Sequence, residues 1–339
     1  MSEPMPQDLA LPPWLDAQLA DLQRQRGHAL LLTGPAGLGQ YTLALALASR
    51  WLCEQPDGHR ACGECASCHA IDVRTHPDLC VLMPETLALE WGWPLDEKTQ
   101  DRIDRKEIKP SKTIRVEATR QAVAFTQFTR ARSDTQVVLI YPAERLNAEA
   151  ANTLLKTLEE PTGAVRFVLA TEAAHALLPT LRSRCQAHAM AWPDPVQVGQ
   201  WLQQQAPQAD ARQREWALRA AGGRPDEALQ WLGESQLPTL WAGLPAAIAR
   251  GQWGAMASWP AARQMDVLMK LCHDLMALRS GAPPRFFDAS TLPPPPAWPA
   301  LVAWLADLQQ AWRTMEHPFA AALMQEAWAQ RARAALALH

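Results

Sequence analysis

The sequence has no long apolar run. Nothing in it approaches the roughly eighteen consecutive apolar residues of a membrane-spanning helix, although 48% of its 339 residues are hydrophobic. No export signal is expected, since Met1-Ser2-Glu3-Pro4 has neither the basic nor the apolar region of one. Nor is there a basic excess: 32 Lys and Arg face 35 Asp and Glu, for a net charge of -3. That balance argues against a freestanding nucleic-acid binder, but not against a subunit of a larger DNA-binding assembly. A cytoplasmic chain with no membrane partner is expected. Its seven cysteines are an odd number, which in an unexported chain favours metal ligation over disulfides.

What is present divides in two. Residues 13 to 26 read as a helix, and Ala29 to Thr33 as a short buried strand. A glycine-rich turn, Gly34 to Gly39, leads into a helical stretch from Thr42 to Leu52. Gln136 to Tyr141 and Arg166 to Thr171 repeat the buried-strand pattern, with a helix from Asn147 to Glu160 between them, closed by Pro161. Strands alternating with helices predict a parallel sheet covered on both faces. Residues 84 to 112 are polar and read as a surface insertion or mobile loop. After Trp192 the strand patterns stop. Eleven of the fifteen tryptophans lie from there onward, and residues 193 to 339 carry twelve basic and twelve acidic side chains. Leu301, Trp304, Leu305, Leu308, Trp312 and Met315 keep helical spacing, so this tryptophan stripe is expected to be core. The run Pro293 to Pro296 reads as a stiff spacer.

Gly34, Gly37 and Gly39 have the spacing of a phosphate-binding loop, but the loop ends in Gln40 and Tyr41. A working loop ends in Lys and then Ser or Thr, the ammonium reaching the phosphates and the hydroxyl holding magnesium. Thr42 cannot stand in, because one helical step turns it about 100° away. A second half-site should follow the strand at Val137 to Ile140, where an ATPase places carboxylates for magnesium and water. Tyr141 and Pro142 stand there instead, with Glu144 beyond the register. Both halves lack their chemistry, so ATP is not an expected cofactor.

Cys53, Cys62, Cys65 and Cys68 form C-x8-C-x2-C-x2-C. Four thiolates in one loop fit a closed, tetrahedral structural zinc site. An iron-sulfur cluster and free thiols are the alternatives, the former opposed by the spacing. His59 and His69 stand near enough to substitute. Cys80, Cys185 and Cys272 are isolated and read as buried spectators.

Leu155-Lys156-Thr157-Leu158-Glu159-Glu160-Pro161 after Ala150-Ala151-Asn152, with Leu181-Arg182-Ser183-Arg184-Cys185 beyond the next strand, resembles bacterial DNA polymerase III clamp-loader subunits of the AAA+ group. The cysteine loop behind the phosphate-loop helix strengthens the likeness, and the degenerate loop narrows it to the delta-prime branch. The resemblance covers residues 13 to about 232. It implies an α/β P-loop AAA+ domain with a zinc module (residues 1-192, zinc loop 53-68), a helical lid (193-235) and an all-α collar (236-339). It further implies a ring subunit that hydrolyses no ATP itself and helps open the sliding clamp and load it on primed DNA. The partners would be gamma/tau and delta subunits within the DNA-directed DNA polymerase (nucleotidyltransferase) holoenzyme. The arginine matching Arg184 would reach a neighbour's ATP site in trans. Asp226 falls where an active subunit carries a sensor arginine, with Arg224 nearby. Glu159 and Glu160 are expected to be structural, Lys156 a subunit contact, and His76-Pro77-Asp78 a turn. The competing function is a weakly active P-loop ATPase subunit of another AAA+ complex.

Overall fold

The computed structural model describes residues 11–315 and 321–337. It separates into two compact units, Met1–Trp201 and Leu202–His339.

The first unit is built on five parallel strands in the order β2-β3-β4-β1-β5. They are β1 (Ala29–Thr33), β2 (Leu79–Leu82), β3 (Gln136–Ile140), β4 (Val165–Thr171) and β5 (Gln186–Ala189). The three central strands, β3, β4 and β1, are almost wholly buried. This is why they read as unbroken Val-Leu-Ile runs rather than alternating ones. β2 and β5 lie at the edges, and Gln-Ala-His-Ala of β5 is mostly exposed. β5 does not stand out in the sequence, because a mostly exposed edge strand needs no apolar run, whereas β2 is apolar throughout, Leu-Cys-Val-Leu, but only four residues long. β4 pairs with both β1 and β3, Leu31 lying opposite Leu169 and Ile140 opposite the same residue on the other side. The loops after β1 and β3 therefore emerge along one edge of the sheet, two strands apart.

Helices α1 (Pro13–Leu22), α2 (Gln40–Leu52) and α3 (Ala66–Asp72) flank the glycine and cysteine loops. α4 (Glu85–Trp91), α5 (Glu97–Asp104) and α6 (Val116–Phe125) follow β2. α7 (Ala148–Glu159) joins β3 to β4, with Asn147 as its N-cap accepting from the Ala150 amide at 2.7 Å. The short α8 (Pro179–Arg182) precedes β5, and α9 (Pro195–Gln205) spans the division between the units.

The stretch 84–112 departs from the polar surface loop expected of it. Leu87, Ala88, Trp91 and Trp93 are buried, whereas α5 buries nothing. Four apolar side chains thus anchor a segment whose charged remainder dominates its composition.

Among the described residues the second unit is all helical: α10 (Ala211–Ala220), α11 (Pro225–Leu232), α12 (Leu237–Ala249), α13 (Ala261–Arg279), α14 (Trp298–Thr314) and α15 (Ala321–Leu336). Ala220 and Trp231, from the stretch expected to form a lid, share one core with residues from Leu237 to Leu336. Trp241 stacks on Phe287 with centroids 4.5 Å apart. The α14 stripe is core only in part. Leu301, Trp304 and Leu308 are buried, but Trp312 is 46% exposed, and Trp298 and Val302 near the start of the helix are exposed too. Trp312 is eight positions on from Trp304 and lands on the flank of the helix rather than beneath it.

Candidate functional site

β1 ends at Thr33, and the glycine loop carries the chain to α2. Gly37 and Gly39 have φ of 84° and 81°. A Cβ on Gly39 would also meet the Leu15 side chain of α1 at 2.8 Å, so both backbone conformation and space require glycine there. The loop has the backbone of a phosphate cradle, but its own side chain fills it. Gln40 is 2% exposed, and its amide donates to the carbonyls of Gly34 (2.9 Å) and Pro35 (2.7 Å). A neutral amide satisfied by the loop's own carbonyls offers no charge to a phosphate.

Tyr41, the next residue, is buried. Its hydroxyl accepts a 2.7 Å hydrogen bond from Trp93 Nε1. Its ring lies 4.6 Å from Trp91 and 5.4 Å from Tyr141, and Trp91 stacks on Tyr141 at 5.8 Å. Burial pushes the Tyr41 phenol up to about 12, so it carries no charge at neutral pH. Tyr141 donates to Glu172 Oε1 at 2.9 Å, and burial raises the Glu172 carboxyl above its ordinary value. Glu144 accepts from Thr171 Oγ1 (2.7 Å) and the Glu172 amide (3.2 Å), tying the turn after β3 to the end of β4. The end of the glycine loop and the turn after β3 thus meet in one aromatic cluster. Trp91 and Trp93 come from the polar stretch, and sequence reasoning missed them. The run Trp91-Gly92-Trp93-Pro94, two tryptophans closed by a proline in an otherwise polar stretch, was the available signal.

α2 delivers Cys53 at its C-cap, and Cys65 is the N-cap of α3. The sulfurs of Cys53, Cys62, Cys65 and Cys68 all lie within 4.8 Å of one another. Cys53 to Cys62 is 3.4 Å, Cys53 to Cys65 is 3.8 Å and Cys62 to Cys68 is 3.9 Å. A tetrahedral metal with bonds of about 2.3 Å sets sulfurs about 3.8 Å apart, so the donor set fits. Backbone N–H groups of Cys62, Cys65 and Cys68 point at the sulfurs of Cys53, Cys62 and Cys65 at 3.3 to 3.4 Å. Burial disfavours the Cys65 thiolate, but amide donors from Cys68 and Glu54 outweigh it and bring that thiol to about 6. Burial pushes Cys53 and Cys68 upward. Four cysteines that could hold a metal ion are therefore assembled. His59 does not join them and instead meets Asp16 at 2.9 Å, as Arg60 does at 2.5 Å, pinning the loop to α1. Among the isolated cysteines Cys272 is buried, while Cys80 and Cys185 are half-buried.

Arg184 follows α8. Its guanidinium pairs with Glu159, the last residue of α7, and donates to the Thr180 carbonyl at 2.7 Å. Its Nε is buried without a partner. Arg182 is exposed and lines a cavity of about 500 Å³ with Leu31, Thr33 and Ala187. In the second unit Arg224 pairs with Glu227 (2.6 Å) and Asp266 (3.3 Å), so an acidic cluster already holds it. Burial raises Asp226 to about 6. The His76-Pro77-Asp78 turn locks a loop: Asp78 accepts from the amides of Ala131, Arg132 and Ser133, each at 2.8 Å.

Parallel sheet, glycine loop and flanking helices define an α/β protein whose glycine loop after β1 is filled by its own side chains. The family model described as DNA polymerase III, delta subunit, matches residues 17–193. The DNA polymerase III subunit delta' of Pseudomonas aeruginosa is 36% identical over 224 residues, covering 66% of this chain and 61% of that protein. The Escherichia coli subunit delta' is 33% identical over 279 residues, covering 76% of each. The Escherichia coli subunit tau is 30% identical over 223 residues, covering 62% of this chain and 30% of that protein. A solved DNA polymerase III gamma subunit-related protein of Thermotoga maritima aligns with TM-score 0.49 at 13% identity, over 96% of this chain and 100% of that one. That likeness adds nothing to the fold described above. The chain belongs to the DNA polymerase III delta-prime family.

Proposed function

We propose that this chain is the non-hydrolysing subunit of a clamp-loader ring, helping to open a sliding clamp and place it on primed DNA in the cytoplasm. The observation that carries the reading is the self-filled phosphate loop in a chain of the delta-prime family. Gln40 takes up the carbonyls of its own loop, and Tyr41, Trp91 and Tyr141 occupy the side where magnesium would sit. The partners are gamma/tau and delta subunits and the clamp, with DNA engaged through the assembly, as the net charge of -3 favours. Cys53, Cys62, Cys65 and Cys68 hold one structural zinc, which closes the loop between α2 and α3 and takes part in no chemistry. Arg184 acts in trans on the neighbour's ATP, where a guanidinium offsets charge developing on the transferred phosphoryl group. Residues 193-235 serve as lid and 236-339 as collar.

The test is reconstitution of the ring with Arg184→Ala. Assembly and metal content should be retained, while DNA-stimulated ATP hydrolysis and clamp loading fall. An arginine of this kind contributes about 10³ to 10⁵ in rate at its own site, and total turnover falls only partially because other sites keep theirs. Unchanged rates in a properly assembled ring would leave the chain a scaffold. Micromolar binding of a fluorescent ATP analogue by the isolated chain would overturn the non-hydrolysing reading.

A further inference from the structure

Glu159 stands where a carboxylate has little local reason to be. It is the last residue of α7, at the helix end that carries partial negative charge, so the helix itself disfavours an anion there. The neighbouring carbonyl is already satisfied, since His28 Nε2 lies 2.7 Å from the Leu158 oxygen. What compensates Glu159 is the Arg184 guanidinium, brought across from the turn after α8. That placement is rigid. Leu154 and Leu158 of α7 and Leu181 of α8 share one buried core, with Leu181 wholly inaccessible. The Arg184 amide bonds the Leu181 carbonyl at 3.2 Å. The backbones carrying the acid and the base are therefore fixed to each other, and only the side chains are free to trade partners.

The guanidinium itself is incompletely satisfied. One terminal nitrogen is committed to the Thr180 carbonyl and another to Glu159, while Nε is buried with no acceptor. Its side chain keeps 28% of its surface exposed and that of Glu159 keeps 49%. The pair is thus open to solvent and to a competing anion, and a half-exposed ion pair is weak enough to exchange. Arg182, two residues earlier, is exposed and has no such acid among the described residues.

We infer that Glu159 is a positioning residue that holds Arg184 back from the neighbouring subunit's nucleotide until the phosphate outcompetes its carboxylate. The inference rests on Arg184 acting in trans. The guanidinium makes one set of charge-assisted bonds at a time, so every ATP that recruits it must first displace Glu159. The restraint raises the ATP concentration needed for half-maximal turnover and leaves saturated turnover unaltered.

The experiment compares rings reconstituted with wild type, Glu159→Gln, Arg184→Ala and the double variant, following DNA-stimulated hydrolysis against ATP concentration. Glu159→Gln keeps the shape and an acceptor oxygen while removing the charge. Its KM for ATP should fall about two- to fivefold, with kcat within about twofold, the range an exposed ion pair supports. The double variant should match Arg184→Ala. Glu159→Asp keeps the charge and should restore KM toward wild type. Melting temperature and ring assembly of each variant separate this effect from misfolding. If Arg184→Ala lowers turnover but Glu159→Gln leaves KM unchanged, the restraint is refuted and the trans arginine stands. A fall in kcat with Glu159→Gln would make the acid an aligner and also overturn the restraint. If Arg184→Ala changes nothing, the trans role itself fails.

Discussion

Two side chains show how one residue decides what a loop can do. Gln40 differs from a phosphate-loop lysine by a charge and a little length, yet its amide closes the cradle on its own carbonyls. Gln40→Lys would give up both bonds and leave an ammonium at a position only 2% exposed, with no metal ligand to make use of it. This substitution should cost about 1–3 kcal/mol and still give no ATP binding, as measured by urea denaturation and analogue titration. Asp78 is the counterpart at the cysteine-loop side of the sheet. Burial alone would raise its carboxyl, but amides of Ala131, Arg132 and Ser133 outweigh that and hold it below the usual carboxylate range. The sign follows: with the folded value below the unfolded one of about 3.9, the contribution is complete above about pH 4. It is lost as pH falls through the folded value. Asp78→Asn should cost about 1–3 kcal/mol at pH 7 and flatten the acid limb. Denaturation at pH 7 and pH 3 reads both, and an unchanged acid limb would remove the role given to Asp78.

At the scale of elements, the stretch 84–112 is two different objects. α4 and the turn after it place Trp91 and Trp93 against Tyr41 and Tyr141, while α5 stays in solvent. The indole nitrogens divide further: that of Trp93 donates to Tyr41, and that of Trp91 is buried without a partner. Trp91→Ala should therefore cost about 3–5 kcal/mol through lost packing, whereas Trp91→Phe should be milder, since no hydrogen bond goes with it. Trp93→Phe leaves the Tyr41 hydroxyl unpaired and should cost about 1–3 kcal/mol. Lys98→Ala on α5 should stay within about 0.5 kcal/mol. Urea midpoints rank the four, and an indifferent Trp91→Ala would return the segment to a surface loop. The sequence made the three central strands and α7 legible because burial on both faces demands continuous apolar runs, and because Asn147 and Pro161 bracket the helix. β5 was not legible, being a mostly exposed polar edge, and β2, though apolar, is too short at four residues to be told from a turn-bounded apolar patch. The cysteine set was legible from spacing alone, since two C-x2-C steps bring three of the sulfurs close whatever the fold. The aromatic fill was not, because Tyr41, Trp91 and Tyr141 are brought together only by the strand order.

The whole molecule joins a parallel-sheet unit carrying the glycine loop, the cysteine set and Arg184 to a helical unit carrying most of the tryptophan. The helical unit has the means to stand alone. Its core runs from Ala220 to Leu336 and includes Trp231, Trp241, Phe287, Trp304 and Trp328. It also contains its own electrostatic knot. Lys270, 4% exposed, is held by Asp266 at 2.6 Å and Glu227 at 3.4 Å, with its ammonium 4.8 Å from the Trp231 ring. A buried ammonium is tolerated only when paired in this way. Asp274, wholly inaccessible, accepts from the amides of Arg285, Phe286 and Phe287 at 2.8 Å each, fixing the loop after α13. All these partners lie within Leu202–His339, so cutting the chain before Ala206 breaks none of them. A fragment of residues 206–339 should fold cooperatively, with helical circular dichroism and blue-shifted tryptophan emission. Asp274→Ala in that fragment should cost at least about 1–3 kcal/mol, since the buried Phe287 amide loses its acceptor and the partly buried amides of Arg285 and Phe286 lose theirs with it. Thermal unfolding of the fragment and its variant reads both outcomes. A fragment that melts without a transition would show that this core is incomplete on its own, and that the helical unit depends on the rest of the chain.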